Sequence, residues 1–332
     1  MTESLFKHIG IVGAGAYGTA LAISAVRAKR RVTLFARDPN QITEINERHE
    51  NSKALKNCRL DSSIHASADM TGLKACNMVI LAVPMQATRN VVEALPLVLL
   101  PDIPVICTAK GIEARSLLFV TDLVRDLLPA NPVSILSGPS FASDIAVGLP
   151  TALTLASNDP YLAQALAMAL NSAMLRIYHG QDVRGVEIGG AAKNVLAIAA
   201  GIVMGRGLGE SARAAIVTRG FAELRRFGEA YGAKPETLMG LSGLGDLLLT
   251  ASSPQSRNFS LGLRLGGGMG VSDAIAAGKL SEGAHTVPVL MQLAKARDID
   301  LPICGMVDAL LNGWVTVEGA LEALLNRPQK AE

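Results

Sequence analysis

The chain has 332 residues, of which 49% are hydrophobic and 18% charged, and its formal net charge is +2. This length allows two domains, the hydrophobic fraction excludes a disordered chain, and the small, dispersed positive charge argues against a nucleic-acid-binding protein. The four cysteines lack CxxC spacing, and the five histidines lack the HExxH spacing of a zinc site. We therefore expect reduced thiols, a cytoplasmic location and no metal.

No signal peptide and no integral membrane segment are predicted. The residues before position 8 lead directly into a strand, and the two most apolar stretches, 78–100 and 188–205, are interrupted by prolines or charged residues. A membrane-spanning helix needs about 20 consecutive, predominantly apolar residues. The apolar stretches are therefore expected to form the core of the protein.

Short β-rich runs alternate with helical runs through the first half of the chain. Strands are expected at 8–12, 31–35, near 64, and at 78–83, 104–108, 133–136, 151–156 and 174–178. Helices are expected between them at 19–28, 39–50, 87–98, 116–127 and 161–171. Such alternation is typical of βαβ units. We predict an α/β fold in which residues 1–182 form a Rossmann-type domain with a mostly parallel sheet.

The pattern changes after residue 182, where we expect no further strand. Helices are expected at 183–204, 210–231, 235–238, 272–277, 286–296 and 306–312, separated by glycine-rich connectors. We predict that residues 183–332 form an all-helical domain that binds the substrate and carries the catalytic residue.

A glycine-rich motif follows the first predicted strand. Residues 9–20 read IGIVGAGAYGTA, in which Gly13, Gly15 and Gly18 form a GxGxxG pattern. In this pattern the first glycine allows a tight turn, the second lets the backbone approach a pyrophosphate, and the third packs helix against strand. The phosphates then face N–H groups at the helix N-terminus. We expect a dinucleotide cofactor at this loop.

The end of the second predicted strand bears on the choice between NAD and NADP. An acidic residue there would bind the ribose 2′-hydroxyl of NAD, but the strand ends in Phe35, Ala36 and Arg37. Arginine matches a 2′-phosphate by bidentate hydrogen bonding, so Arg37 favours NADP. Asp38 follows directly and could still accommodate NAD.

Further polar residues follow the later strands of the predicted sheet. Lys110 follows the strand at 104–108, and Ser140 follows the strand at 133–136. In open α/β sheets, ligands collect beyond the carboxyl ends of the strands. We expect Lys110 to bind an anion, and Ser140 to cap a helix whose backbone N–H groups point into the crevice.

One lysine lies in the most apolar helical stretch of the chain. Residues 189–201 are small or aliphatic except for Lys193 and Asn194, and small residues such as Gly201 would let a backbone or a ligand approach. A buried ammonium without a partner is unfavourable or loses its proton. Either Lys193 snorkels to solvent, or it acts as a general acid and base that exchanges a proton with a carbonyl oxygen. For the second role, the apolar helix would lower its pKa.

The helical half contains other polar residues that fit a small anionic substrate. If 247–252 is helical, Asp246 and Thr250 share one face, and Arg257 and Asn258 lie in a polar loop at 253–259. Arg257 would neutralise part of a phosphate or carboxylate charge. Asp246, together with the amide next to the lysine, would orient substrate hydroxyls.

The combined motifs resemble the bacterial-type NAD(P)-dependent glycerol-3-phosphate dehydrogenases over nearly the whole chain. The matching segments are GAGAYGTALA, ILAVP, TAKGIE, SGPSFASDIA, GGAAKNVLAIAAGI, LSGLGDLLLT, SRNFSLG and LSEGAHTV. Such enzymes interconvert sn-glycerol 3-phosphate and dihydroxyacetone phosphate and usually supply the backbone of phospholipids. The one small departure is Asp144, where the family more often has glutamate.

The resemblance also implies roles for individual residues. Lys193 would be the proton donor and acceptor. The residues that it places around the substrate are Lys110, Gly138, Ser140, Asp246, Ser256, Arg257 and Asn258. The residues that it places against the cofactor are Ala16, Tyr17, Arg37, Lys110, Ala142, Arg257, Leu280 and Glu282.

Two other functions compete with this interpretation. A two-domain dehydrogenase for 3-hydroxy acids would generally carry its lysine and amide one helical turn apart, but the residue four positions after Lys193 is Ala197, and the amide is the adjacent Asn194. A regulator that binds NADP without turnover would have no use for Lys193, Asp246 and Arg257 together. The apolar second half is also compatible with a homodimer.

Overall fold

The computed structural model describes residues 6–278 and 280–328, which fold into two compact units. The first unit comprises the chain up to Lys110 together with Leu118–Glu187, and the second comprises Gly111–Leu117 together with the chain from Ile188 onward. The predicted boundary at 182/183 coincides with the start of a long helix, whereas the units divide a few residues later, inside that helix.

The first unit is built on an eight-stranded sheet. The strands of this sheet are β1 (His8–Val12), β2 (Arg31–Phe35), β5 (Ile64–Ser67), β6 (Met78–Leu81), β7 (Val105–Cys107), β8 (Val133–Ser137), β9 (Thr151–Ser157) and β10 (Leu175–Gly180). A separate two-stranded hairpin is formed by β3 (Glu50–Asn51) and β4 (Leu55–Arg59). Its helices are α1 (Ala16–Arg27), α2 (Pro39–Thr43), α3 (Met85–Val92), α4 (Val120–Leu127), α5 (Ala142–Val147) and α6 (Pro160–Leu170).

The strand order is β10-β9-β8-β7-β6-β1-β2-β5, and all neighbours are parallel except β8 and β9. This arrangement confirms the predicted Rossmann-type, mostly parallel sheet. Every residue of β1 is buried, as expected for a strand covered on both faces. The chain proceeds from β1 to β2 on one side and returns to β6 on the other. The ends of β1 and β6 therefore form the topological switch point at which such sheets bind ligands.

Several local expectations in the first unit were wrong. The predicted helix at 39–50 is the short helix α2 followed by a π-helical turn, Glu44–Arg48, which ends at His49 with a φ of 56°. The hairpin of β3 and β4 was not expected, because both strands are short and rich in polar residues. The helix predicted at 87–98 stops at Val92 and is followed by a 3₁₀ turn, Leu95–Leu97, that contains a proline.

The regular elements in the described part of the second unit are all helices, in agreement with the prediction. Its helices are α7 (Val183–Gly205, which begins in the first unit), α8 (Gly209–Ala230), α9 (Pro235–Met239), α10 (Asp246–Thr250), α11 (Arg257–Gly266), α12 (Val271–Ala276), α13 (Glu282–Ala296), α14 (Pro302–Leu311) and α15 (Val317–Leu325). Helices α11 and α15 were not expected, and α11 replaces part of the loop predicted at 253–259.

Helix α7 is the core of the second unit. Among the described helices it alone is long and apolar enough to span a membrane, but 89% of its most apolar stretch is buried inside the protein. A Cβ on Gly201 would collide with the Phe259 carbonyl, and one on Gly262 would collide with the Ile198 carbonyl. The small residues of α7 therefore admit the backbone of α11, which is one of the two alternatives predicted for Gly201.

Candidate active site

The glycine-rich loop after β1 has the geometry of a phosphate-binding turn. Gly13 has a φ of +115°, and a Cβ there would lie 2.7 Å from the Ala82 carbonyl oxygen. A Cβ on Gly18 would collide with the Gly13 carbonyl. Gly15 differs, because a Cβ there would meet no heavy atom within 4 Å in the described part of the chain. The exposed backbone before the N-terminus of α1 therefore fits the pyrophosphate of a dinucleotide.

Four residues predicted to bind ligands meet where α1 begins and where β7 and β8 end. The hydroxyls of Tyr17 and Ser140 are 3.2 Å apart, and the Gly138 carbonyl accepts hydrogen bonds from Ser140 Oγ at 3.3 Å and Lys110 Nζ at 3.2 Å. The Lys110 ammonium also lies 6.0 Å from the centre of the Tyr17 ring. The expectation that Ser140 caps a helix was wrong, because Phe141 is the N-cap of α5, which begins at Ala142. The Ser140 hydroxyl instead contacts the Tyr17 hydroxyl and the Gly138 carbonyl.

The two charged residues after β2 have different surroundings. Arg37 is exposed. Asp38 is the N-cap of α2, accepting a hydrogen bond from the Asn40 N–H at 3.0 Å, and it pairs with Lys53 at 3.3 Å. The hydrogen bond from Lys53, with that from the backbone, lowers the pKa of Asp38. The Asp38 carboxylate is thus engaged within its own segment, and Arg37 is the exposed charged side chain at the end of β2.

In the second unit, Lys193 belongs to a buried ion pair. Its side chain is 5% exposed, and Nζ lies 2.5 Å from Asp246 Oδ1 and donates to Thr250 Oγ1 at 2.6 Å. The Thr250 hydroxyl donates to Asp246 Oδ1 at 3.4 Å, so the two α10 residues share a face as predicted. The alternative that Lys193 snorkels to solvent was wrong. Its charge is compensated inside the protein.

The contact between Asp246 and Lys193 was not predicted from the sequence, which assigned Asp246 to substrate hydroxyls. Asp246 is 1% exposed, and an uncompensated carboxylate at that depth is strongly unfavourable. A signal was present in the sequence, because a lysine that is buried in an apolar helix and keeps its proton needs a counter-charge. Spacing along the chain could not identify which residue supplies it, since the two residues lie on different helices.

A chain of amides and hydroxyls connects α7, α11 and α13. Asn194 Oδ1 accepts from Asn258 Nδ2 at 2.9 Å, and both residues are buried. Asn258 Oδ1 in turn accepts from Ser281 Oγ at 2.6 Å and from the Gly283 N–H at 2.9 Å. Ser281 is the N-cap of α13 but does not cap it with its own side chain. Asn258 therefore caps α13 from a neighbouring helix, a contact that the sequence did not reveal.

The remaining predicted residues of this unit lie at helix N-termini. Ser256 is the N-cap of α11 and accepts from the Phe259 N–H at 3.2 Å, so the segment predicted as a loop is in fact a helix start. Arg257 is the first residue of α11 and is exposed. Glu282 is the first residue of α13, and Leu280, two positions before it, is 45% exposed. Within residues 6–278 and 280–328 there is no cluster of three His, Cys, Asp or Glu side chains that could hold a metal ion.

A Rossmann-type sheet with a GxGxxG loop, followed by a helical unit with a buried lysine–carboxylate pair, defines the class of two-domain, dinucleotide-dependent dehydrogenases. Two family models refine this class: residues 8–163 match the N-terminus, and residues 182–322 the C-terminus, of NAD-dependent glycerol-3-phosphate dehydrogenase. The chain belongs to this family, as its motifs indicated.

Relatives with this name match over the full chain. A glycerol-3-phosphate dehydrogenase [NAD(P)+] of Azorhizobium caulinodans is 54% identical over 99% of both chains, and one of Rhodopseudomonas palustris is 52% identical over 98% of both. The crystal structure of a glycerol-3-phosphate dehydrogenase from Coxiella burnetii superposes with a TM-score of 0.92 at 34% identity, covering 97% of this chain and 99% of that one. A ketopantoate reductase from Ralstonia eutropha shares the fold at a TM-score of 0.59 and 22% identity.

Proposed function

We propose that this protein interconverts sn-glycerol 3-phosphate and dihydroxyacetone phosphate by hydride transfer with NAD(P), with Lys193 as general acid and base. The observation that carries the proposal is the buried contact of Lys193 Nζ with Asp246 and Thr250. A buried ion pair with no chemical task is often no better for stability than apolar residues of similar volume. Relatives that are 54% and 53% identical carry this activity in their names.

The first unit supplies most of the groups that would hold the dinucleotide. When bound, NAD(P)H supplies a hydride, and NAD(P)+ accepts one. The backbone of the glycine-rich loop and of the α1 N-terminus would bind the pyrophosphate. The residues that we assign to the cofactor are Gly13, Gly15, Ala16, Tyr17, Gly18, Arg37, Lys110, Ala142, Arg257, Leu280 and Glu282.

Lys193 performs the proton transfer in this proposal. In reduction, its ammonium donates a proton to the ketone oxygen, so that the oxygen becomes a hydroxyl as the adjacent carbon is reduced. In the reverse reaction its neutral amine takes that proton back. The Asp246 carboxylate compensates the charge of the Lys193 ammonium. The Thr250 hydroxyl oxygen accepts a hydrogen bond from Lys193 Nζ, which limits the directions in which Nζ can donate its other protons.

The charge of the substrate selects the other groups. A phosphate monoester carries about −1.5 to −2 charges at neutral pH and accepts several hydrogen bonds. The cationic side chains of Lys110 and Arg257 match that charge, and the amides of Asn194 and Asn258 match its hydroxyl and carbonyl oxygens. The residues that we assign to the substrate are Lys110, Gly138, Ser140, Lys193, Asn194, Asp246, Thr250, Ser256, Arg257 and Asn258.

We further propose that NADPH is preferred to NADH, because Arg37 is exposed at the end of β2 while Asp38 is engaged as a helix cap. Removing a charge-assisted contact to the 2′-phosphate in Arg37→Ala should raise the KM for NADPH about 10- to 100-fold and change the KM for NADH little. Steady-state kinetics with each cofactor measures this. Equal changes in both KM values would contradict a role at the 2′-phosphate.

The activity itself is tested by NADPH oxidation with dihydroxyacetone phosphate, with ketopantoate as the comparison substrate. We expect turnover with the first and little with the second. Lys193→Ala should lower kcat by about 10²- to 10⁴-fold, because the proton donor is lost, with NADPH affinity retained. Lys295→Ala, which removes an exposed lysine from α13, is the matched control and should leave kcat unchanged. Turnover only with ketopantoate would reject the proposed substrate.

Three cellular properties belong to the same proposal. Glycerol 3-phosphate formed by this enzyme would supply the backbone of glycerophospholipids, and a deletion strain should then need glycerol 3-phosphate for growth. We also propose a cytoplasmic location, which is supported by four cysteines without CxxC spacing. We propose a homodimer as well, which is supported by the apolar second half of the sequence. Cell fractionation and sedimentation of the purified protein test these two properties.

A further inference from the structure

Two polar side chains that no motif singled out converge behind the glycine-rich loop. Gln41 of α2 donates from Nε2 to the Ala14 carbonyl oxygen at 2.7 Å, and Asn51 of β3 donates from Nδ2 to the same oxygen at 3.0 Å. The Thr19 hydroxyl makes a third, longer hydrogen bond to this oxygen, donating at 3.4 Å. Ala14 lies between the first two glycines of the motif, so these side chains fix the backbone of the loop at its central peptide.

The orientation of both amides is fixed by their other contacts. Gln41 Nε2 also donates to Asn51 Oδ1 at 2.9 Å, and Asn51 Nδ2 also donates to Thr19 Oγ1 at 2.8 Å. Each NH₂ group thus uses both of its hydrogens, and the two amides make the two shortest of the three hydrogen bonds to the Ala14 oxygen. Asn51 is 0% exposed, so its hydrogen bonds do not compete with water.

Holding the Ala14 carbonyl also orients the next N–H group. The peptide bonds of the described chain are trans, and in a trans peptide the C=O of one residue and the N–H of the next point in opposite directions. With its oxygen held by Gln41 and Asn51, the Ala14–Gly15 peptide directs the Gly15 N–H to its other face. Gly15 is exposed, and no described protein atom lies within 4 Å of the position that a Cβ would occupy there.

We propose that Gln41 and Asn51 are positioning residues for the dinucleotide: they keep the Ala14 carbonyl away from the pyrophosphate and the Gly15 N–H directed towards it. A rotation of this peptide would replace a hydrogen-bond donor by a carbonyl oxygen, which repels phosphate. That rotation would break both short bonds to the Ala14 oxygen. The inference rests on the proposed dinucleotide-dependent function and extends it to two residues outside the GxGxxG motif.

The location of Gln41 provides a way to isolate this effect. Helix α2 begins directly after Arg37 and Asp38, on the side proposed to bind the 2′-phosphate. Adenosine 2′-monophosphate carries that phosphate but no pyrophosphate. A change in loop orientation should therefore weaken binding of NADPH and spare adenosine 2′-monophosphate, whereas displacement of α2 as a whole should weaken both.

The experiment measures the Kd of NADPH by fluorescence titration and the Kd of adenosine 2′-monophosphate by calorimetry for the full-length protein. Gln41→Leu removes the donor at similar size, and Gln41→Glu replaces it by an acceptor that repels the Ala14 oxygen. We expect the NADPH Kd to rise about 5- to 30-fold in Gln41→Leu, the effect of one lost hydrogen bond to the loop, and more in Gln41→Glu. The Kd of adenosine 2′-monophosphate should not change.

Asn46→Ala is the matched control. Asn46 lies between Gln41 and Asn51 and makes two hydrogen bonds, but both go to the Ala66 backbone, at 2.9 and 2.8 Å. Its loss should lower stability without changing the NADPH Kd. Asn51→Ala provides a second test of the same contact, and the Gln41 variants carry the inference alone if that buried substitution prevents folding.

Wild-type NADPH affinity in both Gln41 variants would overturn the proposal, as would a parallel loss of affinity for adenosine 2′-monophosphate. A wild-type protein that, titrated in the same way, binds neither NADPH nor NADH would instead contradict the proposed function itself. The two failures are therefore distinguishable from the same titrations.

Discussion

Two buried carboxylates of the helical unit have nearly the same exposure and different partners. Asp246 is 1% exposed and faces the Lys193 ammonium at 2.5 Å. Glu223 of α8 is 2% exposed and accepts hydrogen bonds from the backbone N–H groups of Ile303 at 2.7 Å and Cys304 at 3.1 Å, at the start of α14. One carboxylate is compensated by a full charge and the other by peptide dipoles.

This difference shows what each carboxylate can do. Burial raises the pKa of Glu223 to about 7, although its two backbone hydrogen bonds act in the opposite direction. Glu223 therefore caps α14 from outside and has a structural role. Asp246 instead stabilises the buried ammonium of Lys193, the group that we propose exchanges a proton. The partner of a buried carboxylate, rather than its burial, indicates whether the group contributes to chemistry.

The largest difference between substitutions of Asp246 and of Glu223 is expected in kcat. Asp246→Asn keeps the size of the side chain but removes the counter-charge of Lys193, so the ammonium form that donates the proton is disfavoured. We expect kcat for dihydroxyacetone phosphate to fall roughly 100-fold or more, and the unfolding free energy to fall by about 3–5 kcal/mol because a buried pair is broken. Glu223→Gln is the matched control. Equal kcat losses in the two variants would contradict the distinction between the two carboxylates.

A smaller effect is expected on the pH dependence of stability. The pKa of Glu223 is raised from 4.5 to about 7 on folding, so between these values the folded protein binds the proton and the unfolded chain does not. The stability that Glu223 contributes is therefore fully present below the pKa of the unfolded chain. It is lost as the pH rises through the higher pKa of the folded protein. The advantage of wild type over Glu223→Gln should therefore shrink by about 3 kcal/mol between pH 5 and pH 8.

Urea unfolding of both proteins across that range measures the change. Glu187, whose pKa burial also raises to about 7, is present in both proteins and cancels in the difference. Parallel stability curves for wild type and Glu223→Gln would contradict the assignment of this pH dependence to Glu223.

The elements that the sequence predicted best are those determined by local pattern. The buried run of β1 and the long apolar helix α7 were predicted within one residue at each end, because hydrophobic periodicity and a following glycine motif identify them locally. The start of α11 was missed, since the segment around Ser256 is rich in the turn formers Ser, Pro and Asn, and only the folded backbone shows that Ser256 acts as a cap.

The candidate site divides in the same way. Gly13, Gly15 and Lys193 stand out because each residue type is unusual in its local surroundings. Their partners do not: Asp246 is far from Lys193 along the chain, and Gln41 is an ordinary polar residue of a short helix. Contacts of this kind arise from tertiary packing. They also set the charge and orientation of the groups that we propose to act in binding and proton transfer.

The central claim, that Lys193 transfers a proton, is tested most directly by adding small primary amines to Lys193→Ala. An amine that enters the space of the missing side chain can replace the proton donor, whereas it cannot repair a general loss of packing. We predict that the kcat of Lys193→Ala for dihydroxyacetone phosphate rises with ethylamine concentration, while wild-type kcat and the NADPH Kd of the variant stay constant. A variant whose kcat is close to that of wild type without amine, or does not respond to amine at all, would contradict the account.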